Sequence, residues 1–299
     1  MCSSISVRCF AKVNLSLRVL GTRPDGYHEV RTVMQSLSLH DTLQIEAGGQ
    51  GIELRCDADG LPTDDRNLVV RAAEAFAERA GGPPGLRIEL CKRIPIAAGL
   101  GGGSSDAAAA LSALNMLAGK PLAARELSRV AAELGSDVPY FLTGGTAECR
   151  GRGEMVTALE DLPPAPVVVL VPPLRISAAA AYRHFDLTSG GRIGDITADW
   201  PPGEVHSPAA PWRNDLEGGV FAAHPEIRGL KEKLLASGAT DAVMCGSGSA
   251  VAGRFADRGA AVRAAEILEA EGVGVIECSF LTRRQFRRRF VTGESTPTP

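Results

Sequence analysis

The strongest constraint on this chain lies at residues 95–105, where Pro-Ile-Ala-Ala-Gly-Leu-Gly-Gly-Gly-Ser-Ser runs directly into an alanine-rich segment. Four glycines in five positions leave the backbone without Cβ atoms, so successive N–H groups can converge on an anion. The run from Asp106 to Ala118 predicts a helix, whose N-terminus adds partial positive charge there. Ser104 and Ser105 are cap-type residues whose hydroxyls can reach a phosphate or its Mg²⁺. The segment predicts a phosphate-binding loop, with a flexible helix-capping turn as the alternative.

The spacing of this loop excludes the two commonest nucleotide-binding motifs. A Walker A motif needs a lysine before its serine or threonine, and no lysine precedes Ser104. The Rossmann pattern G-x-G-x-x-G, begun at Gly99 and Gly101, needs glycine at position 104, which disfavours an NAD-dependent enzyme. None of the seven cysteines forms a C-x-x-C pair, which argues against zinc ribbons and thioredoxin-type sites.

Composition narrows the class of partner. Residues are 44% apolar and 22% charged, and the formal net charge of −3 is not that of a protein held to nucleic acid by counterion release. The longest apolar run, Pro166 to Leu174, is too short to cross a bilayer. We therefore expect a soluble, cytoplasmic protein that binds neither nucleic acid nor membrane, and no feature of the sequence indicates an obligate protein partner.

Hydrophobic periodicity predicts an α+β chain of two domains, residues 1–162 and 163–299, divided at the linker Asp161-Leu162-Pro163-Pro164. The first half is mostly strands, with helices from Asn67 to Ala80, from Asp106 to Ala118 and from Pro121 to Leu134. The second half approximates the split β-α-β plan of ferredoxin-like folds. The basic patch from Arg283 to Arg289 is interpreted as a solvated last strand and tail. The predicted strands are Ile5–Phe10, Val13–Leu20, Val33–Leu39, Thr42–Ile45, Ile52–Cys56, Leu86–Cys91, Gly145–Cys149, Glu154–Leu159, Val167–Val171 and Val273–Phe280.

The glycine loop resembles the P-x-x-x-G-L-G-S-S-A-A phosphate loop of the GHMP kinases, and further blocks extend that resemblance from residue 11 to about 255. Residues 188–211 match nothing firmly, the last twenty residues carry no motif, and Cys245 stands where serine or threonine is commoner. The matching blocks are Ala11-Lys12-Val13-Asn14-Leu15, Arg23-Pro24-Asp25-Gly26-Tyr27-His28-Glu29, Gly135-Ser136-Asp137-Val138-Pro139-Tyr140-Phe141, Arg150-Gly151-Arg152-Gly153-Glu154, Asn214-Asp215-Leu216-Glu217 and Gly246-Ser247-Gly248-Ser249-Ala250.

The resemblance implies a GHMP kinase fold, with an N-terminal domain like ribosomal protein S5 and a C-terminal ferredoxin-like domain. The blocks narrow it to the branch that uses ATP to phosphorylate the tertiary 2-hydroxyl of 4-diphosphocytidyl-2-C-methyl-D-erythritol, in the non-mevalonate isoprenoid pathway. It also implies Mg²⁺, for which no protein ligand is assigned. The residues that the resemblance assigns to ATP are Pro95, Ile96, Ala97, Ala98, Gly99, Leu100, Gly101, Gly102, Gly103, Ser104 and Ser105.

Asp137 and Lys12 are the candidate catalytic residues. Asp137 follows a Gly-Ser turn, and a carboxylate there suits a base that accepts the substrate's hydroxyl proton. On the residues alone, a turn aspartate bonded to nearby backbone is the favoured alternative. Lys12 lies in an apolar strand, so it either extends to the surface or meets a carboxylate. The resemblance implies that it pairs with Asp137 and reaches the γ-phosphoryl group.

Four further residues are candidates for binding the acceptor substrate. Tyr27 offers a stacking face for cytosine, and His28 offers donor and acceptor edges to read it. Tyr182 is a second stacking candidate, with a core aromatic as the alternative, and Asn14 is assigned either to substrate or to fold support. The turn at Gly246 either closes over the phosphate site or is a plain hairpin.

Two other functions compete with this interpretation. Another small-molecule kinase, such as a homoserine or mevalonate kinase, would leave the Tyr27-His28 pair without a purpose. A nucleotide-binding regulator that has lost catalysis is disfavoured because both Lys12 and Asp137 are present.

Overall fold

The computed structural model describes residues 4–82, 85–189 and 211–295, so most of the unmatched segment 188–211 lies outside the described residues. The strands are β1 (Ser4–Thr22), β2 (His28–Ala47), β3 (Gly51–Cys56), β4 (Gly85–Cys91), β5 (Thr146–Gly151), β6 (Met155–Ala158), β7 (Pro166–Val171), β8 (Arg213–Asn214), β9 (Asp241–Met244), β10 (Val251–Arg254), β11 (Gly274–Ser279) and β12 (Val291–Ser295). The helices are α1 (Leu68–Ala80), α2 (Gly102–Leu117), α3 (Ala124–Leu134), α4 (Val138–Thr143), α5 (Ala178–Ser189), α6 (Glu217–Ala223), α7 (Pro225–Ala236), α8 (Arg258–Ala270) and α9 (Arg283–Phe290).

Two long antiparallel strands form the centre of the first sheet. β1 has 19 residues and β2 has 20, where the sequence predicts two short strands for each. The ladder continues through the polar stretches because the register shifts at three points along β1, beginning between Phe10 and Lys12. β2 also pairs with β4 at one end and with β5 at the other. The long pair therefore reaches from the core to the turn that carries Tyr27.

Helix α2 packs against this sheet through small side chains. It begins at Gly102, four residues before the predicted start, so Ser104 and Ser105 lie in its first turn. Its alanines from 107 to 110 are all buried, in a cluster shared with α1 and the β1–β2 pair. Alanine keeps the helix close to the strands, which brings the glycine loop beside Lys12.

The second sheet has the order β11-β7-β10-β9, which is the 4-1-3-2 order of a ferredoxin-like domain, with α7 and α8 against it. The predicted α+β fold class, with a ferredoxin-like unit in the C-terminal part, is therefore confirmed. A buried cluster that includes Val13, Val167 and Val243 joins the two sheets. Within the described residues, no helix has the length and apolar composition needed to cross a bilayer.

The interpretation of Arg283 to Arg289 as a strand is wrong, although Arg284 and Arg287 to Arg289 are exposed as expected. This segment is helix α9, which is N-capped by Thr282 in a capping box where Gln285 accepts from the Thr282 backbone at 3.0 Å. Phe286 is buried against Phe10, with ring centroids 5.1 Å apart. The strand lies further on, where β12 pairs with the edge of β1. The division at residues 162 and 163 stays a prediction, and β12 crosses it to join the first sheet.

Candidate active site

A cavity of about 650 Å³ lies between the β1–β2 strands, the glycine loop and helix α5. Among its lining residues are nine of the predicted site residues: Lys12, Asn14, Tyr27, His28, Gly99, Gly101, Ser104, Asp137 and Tyr182. The sequence therefore brings residues from widely separated segments to one place.

The glycine loop forms the first wall, at the end that we call the phosphate end (Lys12, Gly99, Gly101, Asp137 and Gly246). The Leu100 carbonyl accepts from the Lys12 backbone N–H at 3.0 Å, which fixes the loop to β1. Gly99 and Gly101 have φ of +78° and +74°, where L side chains are strained. A Cβ on Gly99 would lie 1.7 Å from the Cys245 carbonyl oxygen, and one on Gly101 would lie 2.7 Å from the Phe141 ring. These two glycines are needed by the protein's own packing.

The other loop residues have different surroundings. Ser105 is buried, and its hydroxyl donates to the Phe10 carbonyl at 2.7 Å, so it lies away from the cavity. Gly103 is exposed, and the nearest atom to an added Cβ would be Leu68 Cδ1 at 3.8 Å. The remaining predicted members are not among the residues that line the cavity: Pro95, Ile96, Ala97, Ala98, Leu100 and Gly102.

The turn at Gly246 forms the opposite wall of the phosphate end. A Cβ on Gly246 would lie 3.0 Å from both the Gly99 carbonyl oxygen and Lys12 Nζ, so the two glycine segments touch. Asn214 fixes this turn, because its side-chain amide donates to the Met244 and Gly246 carbonyls at 2.9 and 2.7 Å. Glu217 accepts from the Met244 backbone N–H at 2.9 Å. The Asn214–Glu217 block, to which the sequence assigned no role, thus supports the second glycine turn.

Lys12 and Asp137 meet inside the phosphate end. Lys12 Nζ lies 3.5 Å from Asp137 Oδ2, and the lysine side chain is 4% exposed against 31% for the aspartate. Asp137 precedes helix α4 without a side-chain capping bond, so the backbone-bonded alternative is not what the structure shows. The carboxylate that is open to the cavity is therefore held beside a buried positive charge.

Asn14 connects Lys12 to the neighbouring strand. Its Oδ1 accepts from Lys12 Nζ at 2.7 Å, and its Nδ2 donates to Thr32 Oγ1 at 2.8 Å. Thr32 in turn donates to the Ser16 carbonyl at 2.6 Å. Asn14 therefore orients the lysine, while one amide hydrogen and one lone pair remain to contact a substrate.

The other end of the cavity is aromatic, and we call it the aromatic end (Tyr27, His28 and Tyr182). The His28 ring stacks on Tyr182, with centroids 4.6 Å apart and planes 18° apart. Its Nε2 lies 2.9 Å from Asp186 Oδ1. Tyr27 is 55% exposed, and the Arg152 guanidinium lies 5.0 Å from its ring centroid.

The turn before β2 explains the block that contains Tyr27. Gly26 has φ of +82°, and the Tyr27 backbone N–H donates to Asp25 Oδ1 at 3.1 Å. Arg23 closes the turn by donating to Glu29 at 2.5 Å. The charged residues of this block therefore hold the turn that presents Tyr27 to solvent.

A buried ionic cluster under the glycine loop escaped the sequence analysis. Lys92 Nζ lies 2.5 Å from Asp41 Oδ2 and 2.7 Å from Asp106 Oδ2, and all three side chains are almost fully buried. One lysine between two carboxylates leaves one negative charge, and burial together with Asp41 raises the pKa of Asp106 to about 7. These residues lie far apart in sequence, and only the fold brings them together.

Comparison with known proteins defines the class first. The model of the GHMP kinase N-terminal domain matches residues 67–145, and the GHMP kinase C-terminal model matches residues 207–274. The crystal structure of the Methanococcus jannaschii mevalonate kinase has a TM-score of 0.68 at 14% identity, over 94% of this chain and 99% of that one, so it shows the shared fold. The chain has the fold of a GHMP kinase.

Closer relatives specify the branch. The 4-diphosphocytidyl-2-C-methyl-D-erythritol kinase of Solibacter usitatus is 44% identical over 94% of this chain and 90% of its own length. That of Pelotomaculum thermopropionicum is 45% identical over 83% of this chain and 88% of its own. A crystal structure of 4-(cytidine 5'-diphospho)-2C-methyl-D-erythritol kinase has a TM-score of 0.76 at 37% identity. The match covers 92% of this chain and 98% of that one. The chain belongs to the 4-diphosphocytidyl-2-C-methyl-D-erythritol kinase family.

Proposed function

We propose that this protein transfers the γ-phosphoryl group of ATP to the tertiary 2-hydroxyl of 4-diphosphocytidyl-2-C-methyl-D-erythritol, in the non-mevalonate isoprenoid pathway. The observation that carries the proposal is the buried Lys12 held 3.5 Å from Asp137, facing a glycine loop in a cavity whose other end is aromatic. The family's substrate has a base at one end and a polyol hydroxyl at the other, which matches that arrangement.

Asp137 acts as the base. Its carboxylate accepts the proton as the substrate oxygen bonds to the γ-phosphorus, the bond from that phosphorus to the β–γ bridging oxygen breaks, and ADP leaves with the electron pair. Lys12 keeps its position through Asn14 and places a positive charge beside the transferring group. The charge on the moving oxygens is thereby stabilised without rearrangement of the site.

The phosphate end fits ATP and Mg²⁺. The helix that follows the loop has 16 residues and begins at Gly102, so its first N–H groups and partial positive charge face an anion held there. Among the described residues that line this end, Asp137 offers a carboxylate and Ser104 offers a loop hydroxyl that could hold a cation. Mg²⁺ commonly takes one or two protein ligands beside substrate phosphates. When bound, it would neutralise phosphate charge.

The aromatic end supports the assignment of the acceptor. Tyr27, His28 and Tyr182 offer ring faces, and Asp186 fixes the orientation of the His28 ring. Cytosine is proposed to stack on these faces and to be read by the His28 edge. The proposal places the reaction in the cytoplasm, a reducing compartment that suits the free thiols of the described cysteines.

The test is an ATP-consumption assay with Mg²⁺ and the purified protein, in which the cytidine substrate, homoserine and mevalonate are compared. We expect ADP to form with the cytidine substrate and mass spectrometry to show one added phosphoryl group. Turnover of homoserine or mevalonate at an equal or higher kcat/KM would overturn the assignment of the acceptor.

A further inference from the structure

The cavity contains more positive charge than its carboxylates match. Its lining includes three cations and two carboxylates among the described residues: Lys12, Arg152, Arg183, Asp137 and Asp186. Lys12 pairs with Asp137, and Asp186 is engaged with the His28 ring. Two arginine charges therefore remain to be accounted for.

Neither arginine has a close carboxylate partner in the described part of the chain. The Arg152 guanidinium lies 3.8 Å from Glu154 and also interacts electrostatically with Asp25, while Arg183 is exposed and makes no ion pair there. By contrast, Arg150, two residues before Arg152, donates to Glu148 at 2.8 Å. A guanidinium that lines a cavity without a close carboxylate is available to bind an anionic ligand.

Arg152 lies between the two ends of the cavity. Its guanidinium is 5.0 Å from the Tyr27 ring centroid, at the aromatic end. The next residue, Gly153, touches the phosphate end, because a Cβ there would lie 3.5 Å from Asp137 Oδ1. Arg183 follows Tyr182 on α5 and lines the same cavity. Arg152 therefore lies between the aromatic rings and the base, and Arg183 lines the same cavity.

We propose that Arg152, together with Arg183, binds the diphosphate that links cytidine to the polyol. The inference rests on the proposed function, because a substrate that stacks its base at Tyr27 and presents a hydroxyl to Asp137 must pass its diphosphate between them. Guanidinium groups bind phosphate oxygens in bidentate geometry, which a lysine cannot reproduce. The pair thus selects substrates with a diphosphate linkage.

The experiment measures the binding of CDP and of cytidine by calorimetry, with a non-hydrolysable ATP analogue present at saturation to block the donor site. Wild type is compared with Arg152→Gln, Arg183→Gln and the control Arg150→Gln, whose side chain is 51% exposed and bonded to Glu148. We expect Arg152→Gln to weaken the binding of CDP about 10- to 100-fold, the effect of losing a charge-assisted hydrogen bond. The binding of cytidine should weaken by less than about 3-fold. Arg183→Gln should also weaken the binding of CDP, and Arg150→Gln should bind CDP as wild type does. Arg152→Lys should recover part of the CDP affinity that Arg152→Gln loses.

The kinetic counterpart is a higher KM for the cytidine substrate in Arg152→Gln, with kcat and the KM for ATP unchanged. Equal weakening of CDP and cytidine would show that Arg152 acts through Tyr27, and unchanged CDP affinity in both variants would show that the arginines do not bind the diphosphate. Either result overturns the inference. The proposed function is retained in that case if wild type still turns over the cytidine substrate. A wild type that neither binds CDP nor turns over that substrate would instead refute the proposed function.

Discussion

The two ends of the cavity are built in different ways. At the phosphate end, Lys12 is 3% exposed, and Gly99 and Gly246 leave no room for a side chain against their neighbours. At the aromatic end, Tyr27 is 55% exposed and is held by a turn of surface charges. The phosphate end is fixed by core packing, whereas the aromatic end combines the stacked His28 and Tyr182 rings with a Tyr27 that a few polar contacts hold at the surface.

This difference separates chemistry from recognition. Stabilising a transferring phosphoryl group requires charges that are already in position, which burial and the Asn14 bond supply. Recognition of a base tolerates an exposed ring, because stacking needs mainly one free face. We therefore expect changes at the phosphate end to act on kcat or ATP, and changes at the aromatic end to act on KM for the cytidine substrate.

The largest effect is expected for Asp137→Asn. The amide keeps the shape but cannot accept the proton, so kcat should fall about 10²- to 10⁴-fold, while calorimetry should show little change in ATP affinity. The matched variant is Asp186→Asn at the aromatic end, which should alter KM for the cytidine substrate and leave kcat within a small factor. A near-normal kcat in Asp137→Asn would remove Asp137 from the reaction.

The aromatic end is tested by Tyr27→Ala. Loss of one stacking face should raise KM for the cytidine substrate about 5- to 150-fold, from the usual 1–3 kcal/mol per stacked base. The KM for ATP should stay constant, because the glycine loop is at the other end. A variant with impaired ATP binding and a normal KM for the cytidine substrate would reverse our assignment of the two ends.

Gly103→Ala tests whether the loop serves a ligand beyond the protein's own packing. An added Cβ has open space, and alanine favours the helix by roughly 0.5–1 kcal/mol, so Tm should not fall. ATP affinity should nevertheless drop, by about tenfold or ~1.4 kcal/mol, if the backbone approaches phosphates there. The comparison variant Gly99→Ala should instead lower Tm, since its Cβ meets the Cys245 backbone. Unchanged ATP affinity in Gly103→Ala would show that the backbone at Gly103 does not approach the phosphates.

The last prediction concerns stability alone, at the ionic cluster beneath the phosphate end. Because the folded protein raises the pKa of Asp106 from 3.8 to about 7, it binds this proton more tightly than the unfolded chain. The stability contributed by the protonated group is complete below pH 3.8 and is lost as pH rises towards 7. In wild type, this loss should lower the free energy of unfolding on the order of 1 kcal/mol per pH unit over part of that window. Asp106→Asn should remove the pH dependence, which urea unfolding at several pH values measures. Parallel pH profiles for the two proteins would contradict the assignment.

The sequence brought out the residues of the phosphate end because contiguous motifs carry them. The glycine loop can be identified from short spacings, Asp137 from the family resemblance rather than from the residues alone, and the α+β fold class from periodicity. The merging of the short strands into β1 and β2 could not be seen, because register shifts let the ladder run through polar residues. The strand assigned to Arg283–Arg289 failed because its arginines obscured the Phe286 contact that stabilises α9.

The aromatic end and the ionic cluster depend on contacts between distant segments. His28 and Tyr182 are separated by about half the length of the chain, and no local pattern shows that their rings stack at 4.6 Å. The same holds for Lys92 between Asp41 and Asp106. Local sequence therefore indicated the residues of the phosphate end more completely than the contacts of the aromatic end.

The central claim is that the cavity aligns the tertiary 2-hydroxyl of the cytidine substrate with Asp137. Phosphorus NMR of the product tests it directly, because a phosphate on a tertiary carbon has no proton on that carbon to split its signal. We predict one new phosphomonoester resonance without such splitting, formed by wild type and strongly reduced with Asp137→Asn. A split resonance, from a phosphate on a primary or secondary hydroxyl, would contradict the alignment that we propose.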